Sequence, residues 1–444
     1  MSGEAESGQK ETAEGMPKLR LRRLKIHRWR NVLPGTELHF GDGIHALLGK
    51  NGTGKTTLLR LLSMFSRGTF TETEGEEFDA EVDVEIGQAT ITAQVARYRA
   101  PETTPARLPV DVDLWGERVE VKIQRPELSA TLRRDGDRMT IARDKGPEIH
   151  LRPSFARAVN LGLPGILSTV ARMAIADDPK ATATSMGEIH DAFRDTASTV
   201  RYDEMLGFLA LMSGESSDES RRGHVSPLSL QISHRKDETN EGSLLAPQLL
   251  EALQKSPWSG EKTISFSARK LPFLDDYARL TRVNDVEMLL RLREARKKGD
   301  YSSFDRAEFL FKLRDGDTIS IEDTSYGQRR LLSFLYYAAC NPSILIADEL
   351  TNGLHHEWIE ACVDELEKRQ SFVASQNPLL LDYLPVSSAK DAETAFIQCR
   401  LVEQDGKQWM HWRNTTSEEA ERFWKSYETG VQFISEILRT EGLW

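Results

Sequence analysis

The stretch GIHALLGKNGTGKTTLLRLLSMFS, residues 43–66, decides how the rest of the chain is read. A short apolar run enters a loop with three glycines and two lysines and leaves as a leucine-rich segment. Gly49, Gly54, Lys55 and Thr56 fit the spacing GxxxxGK[ST]. Glycines let the backbone wrap so that its amide hydrogens surround a phosphate. Lys55 is then the residue that reaches the β and γ phosphates, and Thr56 offers a hydroxyl to Mg2+. The helix that follows points its positive end at the anion. The bland alternative is an ordinary glycine-rich turn. Such a turn does not require a strand before it and a helix after it, and both are present in the pattern. The phosphate-binding candidates are therefore Gly49, Lys50, Asn51, Gly52, Thr53, Gly54, Lys55, Thr56 and Thr57.

A phosphate loop of this kind works with a second carboxylate. SILIADEL, residues 343–350, is an apolar run ending in Asp348 and Glu349. An aspartate at the end of a buried strand can hold Mg2+ together with Thr56. The adjacent Glu349 is placed to polarise an attacking water. Between the two motifs lies TSYGQRR, residues 324–330, opening a helix. Ser325, Gly327 and Gln328 could offer hydroxyl, backbone and amide donors to a γ-phosphate. Taken alone, the same residues describe a capped helix with Ser325 as its N-cap.

The totals set the frame. A chain of 444 residues suggests two or three lobes, and its 39% hydrophobic content is that of a soluble protein. The net charge of −11 argues against a surface that binds nucleic acid throughout, while leaving a local basic patch open. Cys340, Cys362 and Cys399 stand far apart without CxxC spacing, which points to a reducing compartment and no structural zinc. No apolar run approaches the roughly 20 residues needed to span a bilayer. The polar start MSGEAESGQKETAEG reads as a flexible tail and not as a secretory signal, so the cytoplasm is the expected location.

Patterning divides the chain further. Residues 1–16 are the tail, and 17–77 carry three strands, the glycine loop and its helix. Residues 78–157 alternate at period two with Gly and Asp turns, as in AEVDVEIGQATITAQVARY, and read as an antiparallel β lobe. Residues 158–304 read as a large helical insertion, from NLGLPGILSTVARMAI to DDYARLTRVNDVEMLLRLREARKKG, with a polar loop at 213–226. Residues 305–415 return to strands and helices and end in a hairpin, AFIQCRLVEQDGKQWMHWRN. Residues 416–444 read as one terminal helix capped by Thr416 or Ser417. The fold class is thus α/β: a mixed sheet with helices, an antiparallel β lobe and a helical insertion.

The motifs GKNGTGKT, TSYGQ, ILIADE and LTNGLH occur in the order of ABC-type ATPase heads. Together with the opening KIHRWRNVLPGTELHF and the later SQNPLLLDYL, they resemble the SMC/RecF-like AAA ATPases of bacterial anti-phage systems. These are related to OLD proteins and to the PtuA and AriA subunits. The resemblance covers roughly 150 residues of head. It implies an ATPase using ATP and Mg2+, the metal being held by Thr56 and Asp348, with Glu349 and Gln376 as catalytic residues. Two such heads sandwich ATP, so Ser325, Gly327 and Gln328 would act in trans in a head-to-head dimer or larger homo-oligomer. Arg28, Trp29, Arg30 and Asn31 lie where the family contacts the base or first phosphates, although a strand with a solvated basic face explains them equally well.

Several positions depart from the family pattern. Tyr326 stands where a glycine is usual, and His355 occupies the D-loop aspartate position. Gln376 replaces the switch histidine; a glutamine can hydrogen-bond a phosphate but cannot carry a proton away, which implies slow hydrolysis. The Q-loop glutamine falls in or near the β lobe, with Gln88, Gln94 and Gln124 as candidates. HHEWIE lacks the second histidine of a zinc motif.

Three functions compete. The first is a sensor or scaffold ATPase of a defence complex, controlling a separate nuclease or toxin and answering a phage-encoded trigger. The second is a RecF-like DNA-repair ATPase, which the acidic balance disfavours even with the basic run RLREARKKG at 291–299. The third is a self-contained nuclease. It needs a Toprim domain of about a hundred residues, and the text after LLLDYL reads only as a hairpin and a helix. No heptad pattern is sustained, which sets aside a long coiled coil.

Overall fold

The computed structural model describes residues 18–68, 70, 73, 75–99, 115–126, 128–136, 138–144, 147–151, 230–233, 246, 248–249, 251–252, 263–295 and 301–444. The tail, the segment NLGLPGILSTVARMAI and the polar loop at 213–226 lie outside the described residues.

The chain begins with β1 (Leu19–Trp29), β2 (Thr36–His39), β3 (Ile44–Leu48) and α1 (Lys55–Arg67). It continues through β4 (Phe78–Ile86), β5 (Ala89–Arg99), β6 (Trp115–Arg125), β7 (Leu128–Asp135), β8 (Arg138–Arg143) and β9 (Ile149–Leu151). Then come β10 (Leu230–Ser233), β11 (Thr263–Ser267), α2 (Pro272–Thr281), β12 (Asp285–Ala295), β13 (Tyr301–Lys312) and β14 (Thr318–Ser320). The last third holds α3 (Tyr326–Cys340), β15 (Ile344–Asp348), α4 (His356–Glu367), β16 (Gln370–Ala374), α5 (Pro378–Asp382) and α6 (Ala389–Ala395). It ends with β17 (Phe396–Gln404), β18 (Lys407–Asn414), α7 (Ser417–Tyr427) and α8 (Ile434–Thr440).

The described residues form three sheets. The one that matters most runs β15-β16-β3-β17-β18, with the first four strands parallel and β18 antiparallel. Every residue of β3 and β16 is buried, as expected of strands covered on both faces. Ile44, Ala46 and Leu48 face a core that includes Leu331, Phe334 and Leu335 of α3. Leu47 faces a second core shared with Leu58, Leu62 and Phe65 of α1 and the apolar side of β1. Each buried Leu, Ile or Phe side chain among these contributes about 1.5–3 kcal/mol relative to exposure.

The second sheet is antiparallel, β2-β1-β4-β5-β6-β7-β8-β9. The alternation seen in residues 78–143 is thus a real β lobe, but β1 and β2 belong to it as well. The division drawn at 77/78 therefore runs between paired strands, with Trp29 opposite Phe78.

The third sheet, β10-β13-β12-β11, corrects the helical reading of DVEMLLRLREA. The helix stops at Thr281, and residues 285–295 are strand β12. Met, Leu, Arg and Glu are good helix formers, yet Val286, Met288 and Leu290 are buried at period two, and β12 is paired on both sides. Burial of one pleated face outweighs intrinsic propensity. The boundary placed at 304/305 falls inside β13. The terminal segment is likewise two helices, broken near Gly430 at φ 64°.

Candidate nucleotide site

The parallel strands β15, β16 and β3 end side by side, with Asp348 opposite Ala374 and Ala374 opposite Leu47. The segments that follow, 49–56, 349–351 and 375–377, therefore meet at one carboxyl edge, where open α/β sheets place their ligands. Register alone brings together three motifs spread over more than three hundred residues.

The glycine loop is moulded against the C-terminal hairpin. A Cβ on Gly49 would run into the Cys399 carbonyl oxygen, and one on Gly54 into the Met410 sulfur. Gly54 also has φ 87°, which favours glycine at the α1 N-cap. Behind the loop, the buried Trp412 donates its indole N–H to the Thr53 carbonyl oxygen at 3.1 Å. The Thr53 hydroxyl donates to the Lys50 carbonyl oxygen at 2.8 Å. Met410, Trp412 and Cys399 were not legible as site residues. Their only signal is the alternation of strands β17 and β18, which any half-buried hairpin shares.

Lys55 opens α1 and is only 8% exposed. Its ammonium donates to the carbonyl oxygens of Gly49 at 2.8 Å and Lys50 at 3.1 Å. Burial pushes the nearby Cys399 thiol up to about 12, Lys55 acting in the opposite direction. Cys399 is thus an inert neighbour. The Thr56 hydroxyl donates to Asp348 Oδ2 at 2.5 Å. A hydroxyl and a carboxylate at a helix N-terminus form the hard-oxygen pair that suits Mg2+ bound with nucleotide phosphates. The residues present fit that ion, which when bound supplies positive charge to the phosphate oxygens.

Glu349 follows directly, with φ 51°, a left-handed conformation that costs a non-glycine residue about 1–2 kcal/mol. Its N–H donates to the Ala374 carbonyl oxygen at 2.8 Å. Its carboxylate Oε1 accepts from the Gln376 amide at 3.1 Å, and the same amide nitrogen donates to Asn51 Oδ1 at 2.9 Å. Gln376 therefore links the glutamate of one motif to the loop of the other. Ser375 and Thr351 support this edge through a buried hydroxyl pair at 3.0 Å.

Ser325 is the N-cap of α3, and its hydroxyl accepts from the Gln328 N–H at 3.2 Å. The Gln328 side chain accepts in turn from the Ser325 N–H at 2.9 Å. Both polar groups are engaged in a capping box of their own helix. Gly327 packs on the Gly353 carbonyl and the Trp358 ring, leaving no space for a side chain.

The segment at 28–31 makes contacts within the chain. The Trp29 ring is 1% exposed and packs edge-on against Phe78. Arg30 pairs with Glu76 at 2.9 Å and lies over the Trp29 ring, and Arg28 pairs with Glu77. The Asn31 carbonyl oxygen accepts from the Met410 N–H at 2.7 Å. Acidic residues 76 and 77, which follow α1, were missed as the partners that neutralise this run.

Of the glutamines, Gln94 donates to Asp79 at 3.0 Å within the β lobe. Gln88 lies in the β4–β5 turn at the far end of β4 from Phe78, and Gln124 stands opposite Thr90. His355 is the N-cap of α4, with its ring beside His356. Among the described residues, no group of three His, Cys, Asp or Glu side chains is placed to hold a metal ion. No helix there is long and apolar enough to cross a membrane, which says nothing of β-barrels.

A strand, a glycine loop and a helix at the carboxyl edge of a parallel sheet, facing a strand-end aspartate, decide the class. The chain has an α/β fold with a P-loop-type strand, glycine loop and helix at the edge of its central sheet. Residues 213–382, rather more than a third of the chain, match a family described as "AAA domain, putative AbiEii toxin, Type IV TA system". No curated protein matches the chain significantly.

Solved structures with partial likeness include an Smc head bound to the C-winged helix domain of ScpA. It is 13% identical, with a TM-score of 0.37, over 89% of this chain and 98% of that one. A Pyrococcus furiosus Smc head with an extended coiled coil, bound to the C-terminal domain of ScpA, is 10% identical with a TM-score of 0.35. That match covers 93% of this chain and all of the other. A Pyrococcus yayanosii Smc head with a coiled coil and joint is 12% identical, with a TM-score of 0.34 and the same coverage.

Proposed function

We propose that this protein binds ATP with Mg2+ and hydrolyses it slowly, as the sensor or scaffold subunit of a defence complex whose effector is a separate nuclease or toxin. The observation that carries the ATPase reading is the contact between Thr56 and Asp348, 292 residues apart, beside the Glu349–Gln376–Asn51 chain. Lys55 and the loop amides bind the phosphates, Thr56 and Asp348 take Mg2+, and Glu349 activates water. Gln376 orients Glu349 and cannot remove a proton, which makes the site a switch and not a motor. Ser325, Gly327 and Gln328 serve the nucleotide of a second copy. The order of motifs supports the ATPase part of this reading, and the family description, which names a putative toxin of a type IV TA system, supports a link to a toxin.

The test has two parts. Lys55→Ala should lose nucleotide binding at least a hundredfold, whereas Glu349→Gln should bind ATP and not turn it over. Normal hydrolysis by Glu349→Gln would remove Glu349 from its role. Glu349→Gln protein captured from its native cells with ATP and Mg2+ should then carry a small nuclease or toxin-like chain in stoichiometric amount. DNA and repair proteins without an effector would move the function to a repair ATPase.

A further inference from the structure

The carboxylate of Glu349 is held at its tip by Gln376, but its backbone is held by something the motifs do not contain. Arg330, in the first turns of α3, is 7% exposed. Its Nη2 donates to the Glu349 carbonyl oxygen at 2.7 Å and to that of Leu350 at 3.4 Å. Its Nη1 donates to the Tyr326 hydroxyl at 3.1 Å, and the guanidinium lies over the Tyr326 ring at 5.7 Å from the centroid. Tyr326 itself is 58% exposed, one of few large apolar-bodied side chains at the surface among the described residues.

These contacts form one short connection. Glu349 is one of four non-glycine residues with positive φ among the described residues, and such a conformation persists only where its surroundings over-determine it. The Ala374 carbonyl fixes the Glu349 N–H, and Arg330 fixes the Glu349 C=O. Rotating either peptide group would swing the carboxylate away from Gln376. A buried guanidinium is a costly way to fill space, and its planar fork suits holding two carbonyls and a hydroxyl at fixed angles.

We propose that Arg330 is a positioning residue for Glu349, held in turn by Tyr326, so that both set the rate of ATP turnover through the Glu349 backbone. This rests on the reading of Glu349 as the group that activates water.

The experiment is a double-mutant cycle on the full chain with Tyr326→Phe and Arg330→Lys, measuring nucleotide affinity and steady-state turnover. Arg330→Lys should lower kcat about ten- to a hundredfold, the scale of one lost charge-assisted hydrogen bond, with ATP affinity changed less than about threefold. Tyr326→Phe should change kcat by a smaller factor and have no further effect in the Arg330→Lys background. Multiplicative effects, or equal losses in affinity and kcat, would overturn the connection. If Arg330→Lys does not fold, Tyr326→Phe decides alone, since its ring stays and only the hydroxyl goes. A change in kcat with unchanged affinity supports the device, and an unchanged kcat overturns it. Wild-type protein that binds ATP and never turns it over removes the hydrolytic reading and this role together. Wild-type turnover with insensitive variants removes this role only.

Discussion

Glu349 and Gln376 show what a single side chain can and cannot do at this edge. The glutamine amide donates to both Glu349 and Asn51, so it ties the carboxylate proposed to activate water to the glycine loop. An amide has no titratable proton near neutral pH, whereas an imidazole has. Replacing Gln376 by Ala should therefore lower single-turnover hydrolysis about tenfold with ATP affinity little changed, because only orientation is lost. Gln376→His should turn over at least as fast as the native protein and gain a pH dependence near 6.5, the imidazole's ordinary range. A histidine variant as slow as the alanine variant would show that proton removal is not what limits the site.

At the scale of elements, the capping boxes are the parts that sequence patterning reads well. Thr416 caps α7, and Glu419 returns to the Thr416 N–H at 2.9 Å, which settles the choice between Thr416 and Ser417. Glu419 also pairs with Arg413 of β18 at 2.6 Å, so the cap joins the helix to the hairpin that backs the glycine loop. Arg413 and the Thr416 backbone hold the Glu419 carboxyl down at about 2, from an ordinary value of 4.5. A carboxyl depressed in the folded state stabilises fully above its unfolded value and progressively less as pH falls through the folded one. The native protein should thus lose this contribution between about pH 4.5 and 2. Glu419→Gln should melt lower near neutral pH, and thermal unfolding curves of the two proteins should converge across that window. A constant gap at every pH would assign the effect to packing. Strand β12 is the counter-example, because its Leu- and Arg-rich text satisfies helix propensity and is overruled by pairing with β11 and β13.

For the whole molecule, the proposed action in trans requires a second copy. Purified Glu349→Gln protein should pass from one 50.2 kDa chain to an assembly of at least two on addition of ATP and Mg2+, measured by light scattering. Lys55→Ala should stay at its starting mass under the same conditions. An unchanged mass in both would leave Ser325, Gly327 and Gln328 as a helix cap and nothing more.

The amino-acid sequence alone determined the strand, glycine loop and helix around residues 44–67, the strand ending at Asp348 with Glu349 after it, the α/β class and the alternating β lobe. Each of these is a local pattern, in which residue type and spacing carry the physics within about twenty positions. Tertiary structure decided the rest. Arg330 reaching Glu349, Trp412 and Met410 backing the glycines, Glu76 and Glu77 neutralising the basic run at 28–30, and β12 as a strand all depend on which distant segments share an edge. Strand order and register set those meetings, and no local periodicity encodes which strand lies next to which.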